Sequence, residues 1–341
     1  MSKLPAVLAL FTSLMPICIA QSAGPQTSPA AQPPAAAGAP SQDQASTGKT
    51  SHDKTSPGIK NVFWQPNQLE QGSVAFFTVE FEHVPTRLTG RWIGKDVKFF
   101  KSSNPKVWYA LAGADLETQP GSYDLTLSAT AGGRLLRAVK AVEIGAANFK
   151  TSDVTVPQNF VEPDAAGKRQ IALDQVLKNR AFARVTPLPL WSGNFVTPVQ
   201  AKPTDTFGMT RLFNEEMTST HRGTDFPIAE GAPVIVSNSG TVVLAKELFY
   251  EGNCVIVDHG ERFFTIYMHL SKIDVKAGEK LKKGERVGLS GKTGRVTGPH
   301  LHMGVRWNGA YLDPTKLLAL TLPSLKDDDK SPAQRRHVHQ R

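Results

Sequence analysis

Histidine and aspartate recur in three short segments of the second half of the chain: His221 and Asp225 in HRGTD, His269 in YMHLS, and His300 and His302 in PHLHMGV. Neutral imidazole is the commonest metal ligand, so local geometry decides whether these segments can share an ion. On a strand, the i, i+2 pair His300 and His302 puts both rings on one face, roughly 6–7 Å apart, so that one can bind a metal while the other faces the same cavity. A straight strand would hold His221 and Asp225 about 13 Å apart, too far for one ion with ligand bonds of about 2.0–2.2 Å. A bend is therefore required, and Gly223 between them permits one. Neither spacing is informative alone, since the polar C-terminal tail repeats HxH at His337 and His339. The three segments together, in this order, carry the inference.

Order and spacing together resemble the motifs of the lysostaphin-type (LytM-type) zinc metallopeptidases, which cut peptide bonds in bacterial cell-wall peptidoglycan and are built on a small antiparallel β fold. The resemblance runs from Phe207-Gly208 through GAPVIVSNSGTVV, GNCVIVDHG, YMHLS, VKAGEKLKKGERVGLSGKTGR and GPHLH to Asp313-Pro314. It implies that His221, Asp225 and His302 are ligands of a zinc ion, Zn2+, and that His269 and His300 are the catalytic histidines beside it. Three protein ligands leave a fourth position for water, as a hydrolytic zinc site needs. Some relatives have lost ligands and act as non-catalytic activators of wall amidases; here all five positions hold competent residues. Other relatives carry an inhibitory segment that reaches the zinc, and Arg211 and Asn214 in FGMTRLFN could line the cleft or stopper it. The resemblance departs at Met303-Gly304, where relatives often show an aromatic and an acidic residue, and this bears on the cleft wall and on substrate preference.

The chemistry is coherent independently of the family. Zinc can bring the pKa of bound water to about 7 and polarise a scissile carbonyl. Imidazoles at His269 and His300 can take the water's proton, steady an oxyanion or protonate the leaving amine. Asp225 as the single anionic ligand leaves the site net positive.

The elements around these residues read as strands and turns. PVIVSNSGTVVLA, NCVIVDHG and RFFTIYMHL are strand-like, and Gly278, Gly284, Gly291, Gly294 and Gly298 break the later stretch into tight bends. A zinc metallopeptidase domain is expected over residues 201–320. Residues 149–200 form a connector with one helix from Asp164 to about Ala183, on which Ile171, Leu173, Val176, Leu177 and Ala181 fall largely on one face, with Asp164 as its cap. Residues 58–148 alternate in short runs punctuated by Pro and Gly, predicting a small β-sandwich of immunoglobulin-like type. The fold class is thus mainly β, with an N-terminal sandwich and a C-terminal antiparallel β metallopeptidase domain. Standing ahead of a complete site, the first domain is expected to block or shape the cleft.

The chain has 341 residues, of which 40% are hydrophobic and 20% charged, with 28 Gly and 24 Pro. That mix buries cores but also demands many turns and unstructured stretches. Residues 1–20 read as a signal peptide cleaved after Ala20, 21–57 as a disordered Ala/Pro-rich tether, and 321–341 as a basic disordered tail. Export places the chain in a periplasm or outside the cell, associated with the wall, with no stable membrane insertion once the signal is cleaved. The formal net charge of +9 draws the molecule to anionic polymers, with peptidoglycan the expected partner. The export signal and the absence of a recognised basic reading helix argue against nucleic acid, and none is expected as a partner. Cys18 leaves with the signal, and Cys254 in CVIV is expected to be buried packing. His259 reads as structural, His83 as a surface residue, and His52 as part of the tether.

Overall fold

A computed structural model describes residues 53–204 and 206–325. The expected signal peptide, most of the tether with His52, and the tail beyond residue 325 with His337 and His339 lie outside the described residues. The described chain is mainly β, in antiparallel sheets joined by two short parallel pairings.

The first domain is a sandwich. One sheet runs in the order Lys54–Thr55, Arg134–Gly145, Gly121–Ala131, Pro85–Trp92, Lys95–Val97, with Leu69–Glu70 beside Arg134–Gly145; the other runs Ile59–Gln65, Val74–Phe81, Val107–Gly113, Phe100–Lys101. Alternation in Gly121–Ala131 buries Leu125, Leu127, Ala129 and Ala131 and leaves Asp124 and Thr126 outside. Gly132 and Gly133 both have positive φ, 56° and 74°, as a two-residue hairpin turn requires. Across the two sheets Phe77 meets Trp92 edge to face, with ring centroids 5.1 Å apart. The sheet already begins at Lys54, inside the stretch expected to be tether, where Asp53 pairs with Lys140 at 3.2 Å. At the other end, residues 321–325 are docked, because Leu322 is buried and its amide donates to Asn194 Oδ1.

The second domain is built on a seven-stranded antiparallel sheet in the order Thr224–Pro227, His300–Trp307, Phe263–Leu270, Gly252–Asp258, Gly240–Leu248, Lys280–Leu281, with Ala310–Leu312 beside His300–Trp307. Its central strands are covered on both sides. Val255, Val257, Phe263 and Tyr267 face a core continuous with the sandwich, and Cys254, Ile256, Phe264 and Ile266 face the helix Ala165–Phe182. A small sheet of Thr151–Val154, Thr210–Phe213 and Met217–Thr220 lies over the edge near His221. Trp191 of the connector packs against Phe76 and Phe100, so the two domains share one core. Asp115 Oδ2 accepts from the amide of Tyr311, and Gly113 approaches Leu312 so closely that an added Cβ would lie 2.4 Å from it.

The connector helix starts at its cap as expected: Asp164 accepts a 2.7 Å hydrogen bond from the Gly167 amide. Its packed face differs from the apolar stripe read in the sequence. Leu173 and Val176 are 60% and 64% exposed, whereas Gly167, Asp174, Ala181 and Phe182 are buried. A polar contact sets the face: Asp174 accepts from the Phe249 amide and from Gln170, both at 2.7 Å, while Gly167 admits the Phe249 ring. An unpaired buried amide is costly. Asp174→Ala is therefore expected to lower stability by about 1–3 kcal/mol in urea denaturation, whereas Leu173→Ala stays within about 0.5 kcal/mol. The reverse ranking would contradict this docking.

Candidate metal centre

Sheet register brings the key residues together. Asp225 and His302 are direct partners on neighbouring antiparallel strands, and His302 is in turn opposite Met268, the residue before His269. His300 stands two residues earlier on the same strand and so on the same face. His221 lies just past the end of Met217–Thr220, and the chain bends at Gly223 to enter Thr224–Pro227. The bend is present, but space is what demands glycine there: its φ is not positive, and an added Cβ would lie 2.4 Å from both His302 Nε2 and the Met303 carbonyl. His269 occurs where pairing with the adjacent strand slips, and its φ of 62° turns it out of the regular pleat.

Three atoms converge. His221 Nε2 and His302 Nδ1 are 2.8 Å apart, and Asp225 Oδ1 lies 3.1 Å from the first and 3.0 Å from the second. His221 Nδ1 donates to the Thr206 carbonyl at 2.7 Å, which leaves Nε2 as the nitrogen turned toward His302 and Asp225. Burial, only partly offset by the Asp225 hydrogen bond, brings His302 down to about 4, so its ring is neutral at pH 7. Burial alone would raise Asp225, but the imidazoles of His221 and His302 outweigh it and hold the carboxyl well below the usual carboxylate range. Ligands about 2.0–2.1 Å from one ion at tetrahedral angles sit about 3.3 Å apart, a few tenths of an ångström from the spacing found, so this donor set fits a zinc-sized cation.

The two remaining histidines have the same arrangement. His269 Nδ1 donates to the Thr293 carbonyl at 2.9 Å and His300 Nδ1 to the Gly298 carbonyl at 2.8 Å, which leaves Nε2 of each free. The ring centroids of His269 and His300 are 5.0 Å apart, and His300 Nε2 is 3.7 Å from Asp225 Oδ1. Burial pushes His269 well below the ordinary imidazole value. All five residues singled out in the sequence therefore meet at one place. Buried His259 lies elsewhere, its Nδ1 donating to the Ser239 carbonyl and its Nε2 hydrogen-bonded to the Thr265 hydroxyl, and exposed His83 is on the sandwich.

His221, His269 and His302 open on a cavity of about 410 Å³. Its other walls come from the connector helix through Lys178 and Phe182, from the small sheet through Arg211 and Phe213, and from Tyr250, Arg295 and Tyr311. No residue of the sandwich lines it. That domain acts from behind instead, with Glu117 pairing with Arg222 at 2.9 Å and Asp115 holding Tyr311. Of the two candidates for a cleft-lining or stoppering role, Arg211 reaches Asp225 Oδ2 at 2.5 Å, while Asn214 turns away to bond Val156 and Gln158. Met303 is buried in the core, and Gly304 adds no side chain to the wall beside Ile266. The carbonyls of Thr206, Thr293 and Gly298 carry no residue-type signal in the sequence, and Arg295 of the cavity wall was not among the residues singled out there.

Residues 219–314 match the model of peptidase family M23. The chain is 55% identical over 82 residues to peptidoglycan DD-endopeptidase ShyA of Vibrio cholerae, covering 24% of this chain and 19% of that protein. It is 37% identical over 111 residues to DD-carboxypeptidase/endopeptidase Mpg of Neisseria gonorrhoeae, covering 33% of this chain and 25% of that protein. The matches thus span about a quarter or less of these relatives' lengths. A crystal structure from Pseudomonas aeruginosa assigned to peptidase M23 superposes with a TM-score of 0.55 at 28% identity, covering 74% of this chain and 95% of that one. The stretch that matches the peptidase family M23 model, 219–314, carries all five converging residues.

Proposed function

We propose that the protein is an exported zinc metalloendopeptidase that hydrolyses peptide bonds in the stems or crosslinks of bacterial peptidoglycan. The observation that carries the reading is the convergence of His221 Nε2, Asp225 Oδ1 and His302 Nδ1 within 2.8–3.1 Å of one another, with two further imidazoles alongside. The printed activities of the relatives from V. cholerae and N. gonorrhoeae favour a DD crosslink as the bond cut. Among the described residues no helix is long and apolar enough to cross a membrane. Work at the wall of a periplasm or cell surface then follows from the expected signal peptide and from the substrate.

His221, Asp225 and His302 would hold the zinc, which when bound supplies Lewis-acid polarisation of the scissile carbonyl and brings water's pKa to about 7. The chain's own residues do the rest. The Thr206 carbonyl fixes the His221 tautomer so that Nε2 is the ligating atom, and Arg211 on Asp225 Oδ2 leaves Oδ1 turned inward. The carbonyls of Thr293 and Gly298 do the same for His269 and His300, aiming Nε2 of each toward the reacting groups. Burial keeps His269 unprotonated at pH 7, ready to accept a proton from the attacking water. A proton returned to the leaving amine from either imidazole completes the cleavage.

Mass spectrometry of muropeptides from isolated sacculi tests the reading. The purified zinc-loaded protein is expected to convert crosslinked species into products with new free amines. His269→Ala should keep its zinc and lose about 100-fold or more in rate, and His221→Ala should lose both. Sacculi left intact by zinc-loaded wild type would overturn hydrolysis and favour a non-catalytic activator of wall amidases. Gly223→Ala, through its collision with His302, is expected to weaken zinc about 10- to 100-fold in a chelator competition while the far-ultraviolet spectrum is kept. Unchanged affinity would contradict the site's geometry.

A further inference from the structure

Charge in the cavity wall is unevenly spent. Lys178, Arg211, Arg222 and Arg295 are its cations. Lys178 pairs with Glu251, Arg211 with Asp225 and Arg222 with Glu117. Glu251, the acid of the wall, is paired with Lys178 and acts on Arg295 through its charge at longer range; among the described residues no hydrogen bond or ion pair joins a carboxylate to Arg295. Its guanidinium carbon instead lies 4.3 Å from the ring centroid of Phe213 and 4.5 Å from that of Tyr250. Stacking of this kind engages the faces of the guanidinium and leaves its in-plane N–H donors available.

Arg295 is also placed with the same precision as the chemistry. Its amide donates to the Tyr250 carbonyl at 2.9 Å. Two residues before it, the Thr293 carbonyl holds His269 Nδ1, and one residue after Tyr250 the Glu251 carbonyl accepts from the His269 amide. The two segments are pressed together without slack, since a Cβ on Gly294 would lie 2.4 Å from the Gly252 amide nitrogen. The guanidinium and the His269 imidazole thus ride on one rigid unit.

We infer that Arg295 is a substrate-binding residue that clamps a free carboxylate of the peptide, through paired in-plane hydrogen bonds, beside the bond to be cut. This rests on the peptidase reading above and narrows its substrate to peptides that bear a carboxylate near the scissile bond. A planar fork held by aromatic rings matches a carboxylate better than an amide, which accepts at only one atom and carries no charge.

Steady-state kinetics of the full chain on two probes tests this: isolated crosslinked muropeptide dimers, and the same dimers with their free carboxyls converted to amides. For the wild type, amidation is expected to raise KM roughly 10- to 100-fold with kcat changed by less than about threefold. Arg295→Gln should show that raised KM on both probes, with zinc content and melting temperature kept, and Arg295→Lys should recover part of the preference. Equal cleavage of both probes by the wild type, or a preference that survives in Arg295→Gln, would overturn the carboxylate clamp while leaving the peptidase reading intact. Failure of the wild type to cut either probe would instead overturn the peptidase reading on which the clamp rests.

Discussion

Two imidazole nitrogens and a carboxylate oxygen held within 2.8–3.1 Å of one another set the geometry that the surrounding fold has to maintain. Such a cluster holds together only where a proton or a metal cation sits among its lone pairs. The fold holds it in place through rigid means. Asp225 and His302 are neighbours by sheet register, so no side-chain search is needed to bring them together. His221 is added by a single bend whose glycine leaves room for the His302 ring. Each of the histidines that meets a carbonyl through Nδ1 is committed to one tautomer, and the free nitrogens all face inward.

Around this centre the two domains divide the labour. The sheet that carries the histidines is covered on one side by a core shared with the sandwich and on the other by the connector helix. The sandwich therefore acts as an abutment for Tyr311 and Arg222 instead of a cover over the cavity. The helix and the small sheet over His221 are what shape the cavity, and both are anchored by polar contacts to the second domain: Asp174 to the Phe249 amide in a turn, Arg211 to Asp225 on the edge strand Thr224–Pro227.

The centre itself could be read from the chain because its residues are carried on short, ordered motifs, and HxH on a strand has one geometric consequence. Mainly β architecture followed from turn punctuation and alternation. Three things could not be read, each for a physical reason. The helix face was misjudged because Leu173 and Val176 form the better apolar stripe, yet the buried acceptor Asp174 and the Gly167 clearance set the docking. The carbonyls that fix the tautomers belong to the backbone, which every residue type supplies alike. Arg295, Phe213 and Tyr250 come from three distant segments, and their stacking exists only in the folded chain. Gly223 was recognised for its bend, whereas its need is for space next to the His302 ring.

X-ray absorption at the zinc edge, paired with zinc analysis of the purified protein, tests the central claim most directly. The account predicts one zinc per chain, bound by two imidazole nitrogens and one carboxylate oxygen at about 2.0–2.2 Å with a light-atom fourth ligand from solvent. A protein that takes up no zinc, or a spectrum with sulfur in the first shell or four protein ligands closing it, would contradict it.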